Sequence, residues 1–327
     1  MTTACDFDRL LTQGIPHVHE KIFLSLDFKS FIYCLEVSRS WNKLLTSEHF
    51  LRKVKSVFSV EIGKELWQAP FSRNLNTIRV ALSSLKIDIN DKRYFGYYSV
   101  PLIGYPYGSQ NSYLYGSPLH HAAIFRNVDV IKLFMKSGAD PNLTIMNGLP
   151  PLCYSSWSGC KDVGQILLVG GADPNKADNY GNIPLHLATE RGQADVVQLL
   201  LEYGAMPDMT DKKGLTALHW AIRANFKNGE MIHILLNSGA NPNIEHDSGL
   251  TPIHEAANHG YKYLVQILLD EGVEPNIATG LGSTPLHCAV HYGWKEVVGL
   301  LLDRGAKPNM ADVLGRTPLH TVYLKLE

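Results

Sequence analysis

Residues 183–208 read IPLHLATERGQADVVQLLLEYGAMPD, and the stretch recurs. Ile-Pro-Leu-His at 183 has counterparts in Ser-Pro-Leu-His at 117, Pro-Pro-Leu-Cys at 150, Thr-Ala-Leu-His at 216, Thr-Pro-Ile-His at 251, and Thr-Pro-Leu-His at 284 and 317. Their intervals are 33, 33, 33, 35, 33 and 33 residues. A second motif keeps the same step: Gly-Ala-Asp-Pro-Asn at 138 and 171, with variants starting at Gly204, Gly239, Gly272 and Gly305. Seven starts and six ends on one period mark an array of structural repeats.

Each motif residue has a local task. Ser117, Thr216, Thr251, Thr284 and Thr317 offer hydroxyls at a helix start, and the proline after four of them suits the first helical position, where no N–H is needed. The glycine of the second motif tolerates the left-handed conformation that ends a helix, and a proline three residues later, as in Gly171 and Pro174, prevents its resumption. Between the motifs, runs such as Val196, Val197, Leu199, Leu200 and Leu201 form an apolar face too broad for one helix to hide. Neighbouring repeats have to cover it.

The period and the Thr-Pro-Leu-His signature resemble the ankyrin repeat over residues 112–327, with six complete repeats and a partial seventh. The resemblance implies helix-turn-helix repeats with β-turn fingers, stacked into an elongated, curved solenoid that binds a protein target on its concave face. Transferring the family's binding positions by period gives Phe125, Trp157, Arg191, Arg223, His259 and Tyr292 along the first helices. The turn tips add Tyr113, Met146, Asn147, Tyr180, Lys212, Lys213, Asp247, Ser248 and Leu281. Phe125, Trp157 and Tyr180 suggest an aromatic anchor, and Arg191, Lys212, Lys213 and Arg223 a site for an acidic group beside it. The departures are informative. Pro150 and Ile183 replace the capping hydroxyl, which costs about 1 kcal/mol each and softens repeats two and three. Repeat four holds two extra residues within 223–229, expected in the loop between its helices. The seventh repeat reaches Glu327 with a first helix and no second, so the chain is either truncated there or capped by something else.

Residues 15–51, IPHVHEKIFLSLDFKSFIYCLEVSRSWNKLLTSEHFL, have no echo at this period. Ile15, Val18, Ile22 and Leu26 recur at steps of three and four, as do Ile32 with Leu35 and Trp41 with Leu44 and Leu45, which suggests short amphipathic helices. Ile15-Pro16, Ile22-Phe23, Leu26-Asp27 and Val37-Ser38-Arg39-Ser40-Trp41-Asn42 follow the order of an F-box, and residues 11–58 resemble that domain. The resemblance implies docking on the Skp adaptor, and through it on the cullin, of an SCF-type cullin-RING ubiquitin ligase. The adaptor-facing residues would be Ile15, Pro16, Ile22, Phe23, Leu26, Leu35, Val37 and Trp41. The competing reading is a cap on the solenoid. A cap needs a polar outer face, whereas Phe23, Phe28, Phe31 and Trp41 supply more apolar surface than that role requires.

Residues 59–91 read as a helical joint or decayed repeat, ending in a degenerate second helix and turn, with Asn90 in the place of Asn142. Residues 92–116 are an insertion rich in tyrosine and glycine that is not a regular helix. It is either a recognition loop, since tyrosine gives large contact area at low entropic cost, or a hairpin folded over the apolar flank of the joint.

Composition narrows the functional classes. Thirty basic and thirty-one acidic residues leave a net charge of −1, so no global field draws the chain to nucleic acid or anionic lipid. No apolar run reaches the ~18 residues of a membrane span, and the amino-terminal residues lack the basic head and apolar run of a signal peptide, which points to the cytoplasm or nucleus. Five widely spaced cysteines suit reduced thiols. Six of the fourteen histidines, His120, His186, His219, His254, His287 and His320, belong to the motif and read as structural. Neither a metal-ligand spacing, a phosphate loop nor a catalytic constellation is present, so no metal, cofactor or active site is expected. The expectation is an all-α, non-catalytic protein: an F-box-like helical domain followed by an ankyrin-repeat solenoid. It would receive substrates for a ubiquitin ligase, the alternative being an interaction scaffold with no ligase role.

Overall fold

The computed structural model describes residues 27–37, 51–52, 54, 57–69, 75–91, 96–99, 113–145, 147–224 and 229–323. Contacts divide the chain into two compact units, residues 1–146 with 169–172 and residues 147–168 with 173–327.

In the first unit, helix α1 (Phe28–Val37) starts at Asp27. That carboxylate accepts the Ser30 N–H at 3.0 Å and the Ser30 hydroxyl at 2.7 Å, which satisfies a donor of the first turn. Phe28, Phe31 and Ile32 share one face and are buried. Both phenylalanine rings meet Phe58, with centroids 5.5 and 5.2 Å apart. Ile62 and Leu66 of α2 (Ser59–Gln68) and Ile78 and Leu82 of α3 (Asn76–Ser84) complete this core. Phe28 and Phe31 therefore do not supply the surplus apolar surface that the sequence attributes to them, because Phe58 closes over them. Of the expected adaptor-facing set, Leu35 and Val37 fall on α1, and Ile15, Pro16, Ile22, Phe23, Leu26 and Trp41 lie outside the described residues.

After α3 the chain turns through buried Leu85, Ile87 and Ile89 to Asn90. The Asn90 side-chain amide donates to the Gly138 carbonyl at 2.8 Å, and its oxygen accepts the Asp140 N–H at 2.8 Å. Asn142 repeats the first bond on the Gly171 carbonyl at 2.9 Å. In the insertion, β1 (Gly96–Ser99) and β2 (Tyr113–Gly116) pair antiparallel, Gly96 opposite Gly116 and Ser99 opposite Tyr113. The helical class thus gains one two-stranded ribbon, and residues 92–95 and 100–112 of the insertion lie outside the described residues. Helices α4 (Pro118–Ile124) and α5 (Val128–Lys136) follow.

The second unit stacks helix pairs. The first helices are α6 (Pro151–Ser158), α8 (Pro184–Glu190), α10 (Ala217–Ala224), α12 (Pro252–Asn258) and α14 (Pro285–Tyr292), each packed on the next. The second helices are α7 (Lys161–Val169), α9 (Ala194–Glu202), α11 (Glu230–Asn237), α13 (Lys262–Asp270) and α15 (Lys295–Asp303), and α16 (His320–Tyr323) begins the last repeat. Val196, Val197, Leu199 and Leu200 of α9 are buried, with α8 and α11 packed against that helix. The two extra residues of repeat four fall where expected, between the end of α10 at Ala224 and the start of α11 at Glu230.

Candidate protein-binding face

The motif histidines carry the joint between repeats. In the second unit His186, His219, His254 and His287 set Nε2 at 2.9–3.1 Å from the carbonyl oxygens of Met209, Leu250, Ser283 and Arg316, the last three each directly before the next motif. A carbonyl only accepts, so Nε2 carries the proton and Nδ1 is left as the acceptor. Nδ1 then receives the backbone N–H of Ile183, Thr216 and Thr284 at 3.1–3.2 Å. It also receives the hydroxyls of Thr216, Thr251 and Thr284 at 2.7–2.9 Å. The capping role read from sequence holds at Ser117 and Thr284, whose oxygens accept the N–H of His120 and His287 at 3.5 and 3.4 Å, while the Thr251 hydroxyl bonds to the histidine ring and makes no cap bond. Ile183, without a hydroxyl, keeps the backbone half of the arrangement.

Turn fingers line up beside the helices. Asn179 N–H donates to the Asn147 carbonyl at 2.9 Å, Lys212 to Tyr180 at 2.9 Å, Asp247 to Lys213 at 3.0 Å and Val313 to Leu281 at 3.1 Å. A carboxylate shapes most fingers. Asp178 accepts from Tyr180 and Asn182, Asp211 from Lys213 and Leu215, and Asp312 from Leu314 and Arg316, all at 2.8–2.9 Å. In one finger His246 stands in that place, its Nδ1 accepting the Ser248 N–H at 3.0 Å.

On this frame Trp157, Arg191, Arg223, His259 and Tyr292 gather at the carboxyl ends of consecutive first helices of the second unit. They occupy two registers. Counted by period, Trp157 aligns with Glu190 and Arg223, whereas Arg191, His259 and Tyr292 sit one residue later. Phe125, aligned with the second register, belongs to the first unit, where its ring meets the His121 imidazole edge-on at 4.6 Å. Tyr113 lies on β2, and Met146 falls outside the described residues.

The electrostatics differ from the expected basic site. The Arg191 guanidinium carbon stands 5.0 Å from the Trp157 ring centroid, a cation–π contact that joins the aromatic and basic features in one unit. Arg223 Nε donates to Glu255 Oε1 at 2.6 Å, with the carboxylate side chain 3% exposed and the guanidinium 40%. Arg223 is therefore already balanced, which leaves Lys212 and Lys213 as the exposed bases of the neighbouring finger. Burial raises the Glu190 carboxyl against the opposing pull of Arg191. His259 Nδ1 is 2.9 Å from the Glu255 carbonyl, and its ring stacks on Tyr261 at 5.4 Å. Sequence reasoning missed Glu255 and Glu190. The signal was there in the residue after each motif histidine, which is Leu187, Trp220, Glu255 and Cys288 in successive repeats.

Among the described residues no group of three or more His, Cys, Asp or Glu stands together to hold a metal, and no helix is long and apolar enough to cross a membrane. The face offers aromatic area, one stacked cation and fixed backbone geometry, which is the chemistry of protein contact.

Comparison with known proteins agrees with this geometry. The family model described as ankyrin repeats in three copies matches residues 100–178, 152–246 and 253–322. The chain belongs to the ankyrin-repeat family, whose repeats bind protein partners. Among solved structures it is similar to the ankyrin repeat domain of Bcl-3, titled a unique member of the IkappaB protein family. The two are 26% identical, with a TM-score of 0.59, over 65% of this chain and 99% of that one. No curated protein matches the chain.

Proposed function

We propose that the chain is the substrate-recognition subunit of an SCF-type cullin-RING ubiquitin ligase, in which the first helices and fingers hold a target protein while the amino-terminal segment holds the Skp adaptor. The observation that supports target capture is the run Trp157, Arg191, Arg223, His259 and Tyr292 on neighbouring helix ends, with Arg191 stacked over Trp157. Support for the ligase end is the order Ile15-Pro16, Ile22-Phe23, Leu26-Asp27 and Val37-Ser38-Arg39-Ser40-Trp41. On this reading residues 59–91 are a decayed repeat, in keeping with the bonds that Asn90 makes to Gly138 and Asp140.

A plain interaction scaffold is the second reading, and the burial of Phe28 and Phe31 against Phe58 favours it, since it ties α1 into the first unit as a cap would be tied. Binding of the purified full chain to purified Skp adaptor separates the two. The wild type is compared with a Pro16→Ala, Trp41→Ala double variant, with folding monitored by circular dichroism. Binding lost in a folded variant is the expected result. A folded wild type that does not bind the adaptor overturns the ligase assignment and leaves the scaffold.

A further inference from the structure

In the second unit the inner position after the motif's fourth residue runs Tyr154, Leu187, Trp220, Glu255 and Cys288. Four of these are bulky, and Cys288 is small. At Cys288 a cavity of about 510 Å³ opens, lined among others by Leu250, Leu281, Ser283, Cys288, Tyr292 and Thr321. Its volume lies within the ~300–1,000 Å³ of sites that enclose a ligand group.

The rim is unusually apolar for a row of finger tips. Asn147, Tyr180, Lys213 and Ser248 occupy tips of earlier repeats, whereas aliphatic Leu281 and Leu314 occupy the last two, 70% and 69% exposed. The Val313 N–H bonded to the Leu281 carbonyl holds these two tips side by side. Adjacent exposed leucines over a cavity form the kind of patch that marks an interaction site.

Charge selects the occupant. The fingers spanning 245–250, 279–283 and 312–316 carry Glu245, Asp247 and Asp312 against the single base Arg316. Arg316 bonds to Asp312 at 2.6 and 2.8 Å, so that base is matched within its own finger. His246 lies between the two other carboxylates, its imidazole kept toward the neutral form first by burial. Glu245 and Asp247, both exposed, give these fingers a negative balance, opposite in sign to Lys212 and Lys213 one finger earlier.

We propose that the Cys288 cavity receives a large apolar side chain from an extended segment of the target, and that a Lys or Arg next to that side chain pairs with Glu245, which lines the cavity. This rests on the reading of the repeats as the target-capturing part and adds the chemistry of what is captured. By period Cys288 holds the place of Trp220 in repeat four, so a small side chain stands here where a large one stands there.

The test uses a phage-displayed library of random dodecapeptides selected on the full-length protein, with the enriched peptides measured on Cys288→Trp, Leu281→Asp and Trp157→Ala variants. Tryptophan at 288 repeats what the fold holds at 220, and Leu281 is an exposed tip, so the aspartate variant keeps the test standing should the first fail to fold. The expected peptides share a large apolar residue beside Lys or Arg. They bind about tenfold or more weakly to Cys288→Trp and Leu281→Asp. Peptides with acidic neighbours, or ones that bind Leu281→Asp and folded Cys288→Trp as well as wild type, overturn the proposal. Peptides lost only on Trp157→Ala overturn it while leaving target capture intact, and no enrichment on folded wild type sinks both. Adaptor binding by the same variants, measured separately, stays at the wild-type level and reports on the ligase end alone.

Discussion

His186, His219 and His254 are completely buried, and burial pushes each imidazole from 6.5 down to about 4, against the opposing effect of the carbonyl on Nε2. The folded state therefore holds these rings neutral while the unfolded chain protonates them near 6.5. Stability from this source is present in full above about pH 6.5 and is lost as pH falls toward 4, because the unfolded state binds the extra protons. At pH 5 the loss is about 2 kcal/mol per histidine, or about 6 kcal/mol for three acting independently, against a typical total of ~5–15 kcal/mol. His246, lowered from 6.5 chiefly by burial, adds to the effect in the same direction, whereas the carboxylates do not mimic it. Asp27, Asp270 and Asp312 are all lowered from 3.8, Asp312 to about 2 by Arg316, so their contributions are lost only at lower pH. Burial raises Glu190 from 4.5, which opposes the trend, since protonation there favours the fold.

Urea unfolding followed by both circular dichroism and tryptophan fluorescence, between pH 7.5 and 5, measures the loss. Two probes are needed because a repeat array does not have to unfold in one step. The expected slope near pH 5.5 corresponds to between two and three protons, about 3–4 kcal/mol per pH unit. A His254→Cys variant removes one of them and lowers the slope by about a third. Repeat two already carries Cys153 at this position, so the substitution has a precedent in the same fold. A urea midpoint that does not move between pH 7.5 and 5.5 would refute the argument. So would a slope unchanged in the variant.

Three further changes have definite outcomes. Gly181→Ala puts a Cβ 2.8 Å from the Lys212 backbone nitrogen at a residue with φ +84°, so the finger has to shift, and the urea midpoint should fall by the equivalent of about 2 kcal/mol. Arg223→Ala strips the partner from a carboxylate that is 3% exposed and costs about 2 kcal/mol, less than a fully buried pair because the guanidinium is partly solvated. An Arg223→Met, Glu255→Leu double variant recovers most of that loss in the same thermal melt. Asn175→Ala breaks the bonds to the Gly204 carbonyl at 3.0 Å and from the Met206 N–H at 2.8 Å, and hydrogen exchange at Met206 should speed up with a stability loss of about 1–2 kcal/mol.

The repeats were legible because the residues that build them recur on one period. His219, His254 and His287 each reach the carbonyl directly before the next motif through Nε2, and His186 uses the same atom on Met209, so a periodic signal in sequence becomes a recurring bond in space. Contacts that break the period were not legible. Arg223 pairs with Glu255, and not with Asn258, the residue of its own register in the next helix. The partner lies one helical turn earlier, a diagonal contact that depends on how two helices lean. Counting by 33 also merged two registers, since Trp157 and Arg191 both end first helices yet differ by one place. The enclosure of Phe28 and Phe31 was hidden for another reason, because the residue that covers them, Phe58, sits outside any repeat.

The same division tells where specificity resides. A position whose side chain joins one repeat to the next cannot vary without loosening the stack, so it carries little information about a partner. The motif histidine and the finger carboxylate are of this kind. The histidine gives way to Cys153 in repeat two, and the substitutes for the carboxylate keep an acceptor in place: His246 receives the Ser248 N–H and Thr279 the Ser283 N–H, as Asp211 receives those of Lys213 and Leu215. Two positions change residue type from repeat to repeat, the residue after the motif's fourth and the finger tip. They read Tyr154, Leu187, Trp220, Glu255, Cys288 and Asn147, Tyr180, Lys213, Ser248, Leu281, Leu314. Tyr154, Leu187 and Glu255 of the first row are buried, and Glu255 pairs with Arg223 of the preceding repeat, so exposed members such as Leu281 and Leu314 are the ones that can change what docks and leave the stack intact. A substitution that retargets the protein without destabilising it should therefore fall at exposed finger tips, and Cys288 with Leu281 is the pair where the two rows line one cavity.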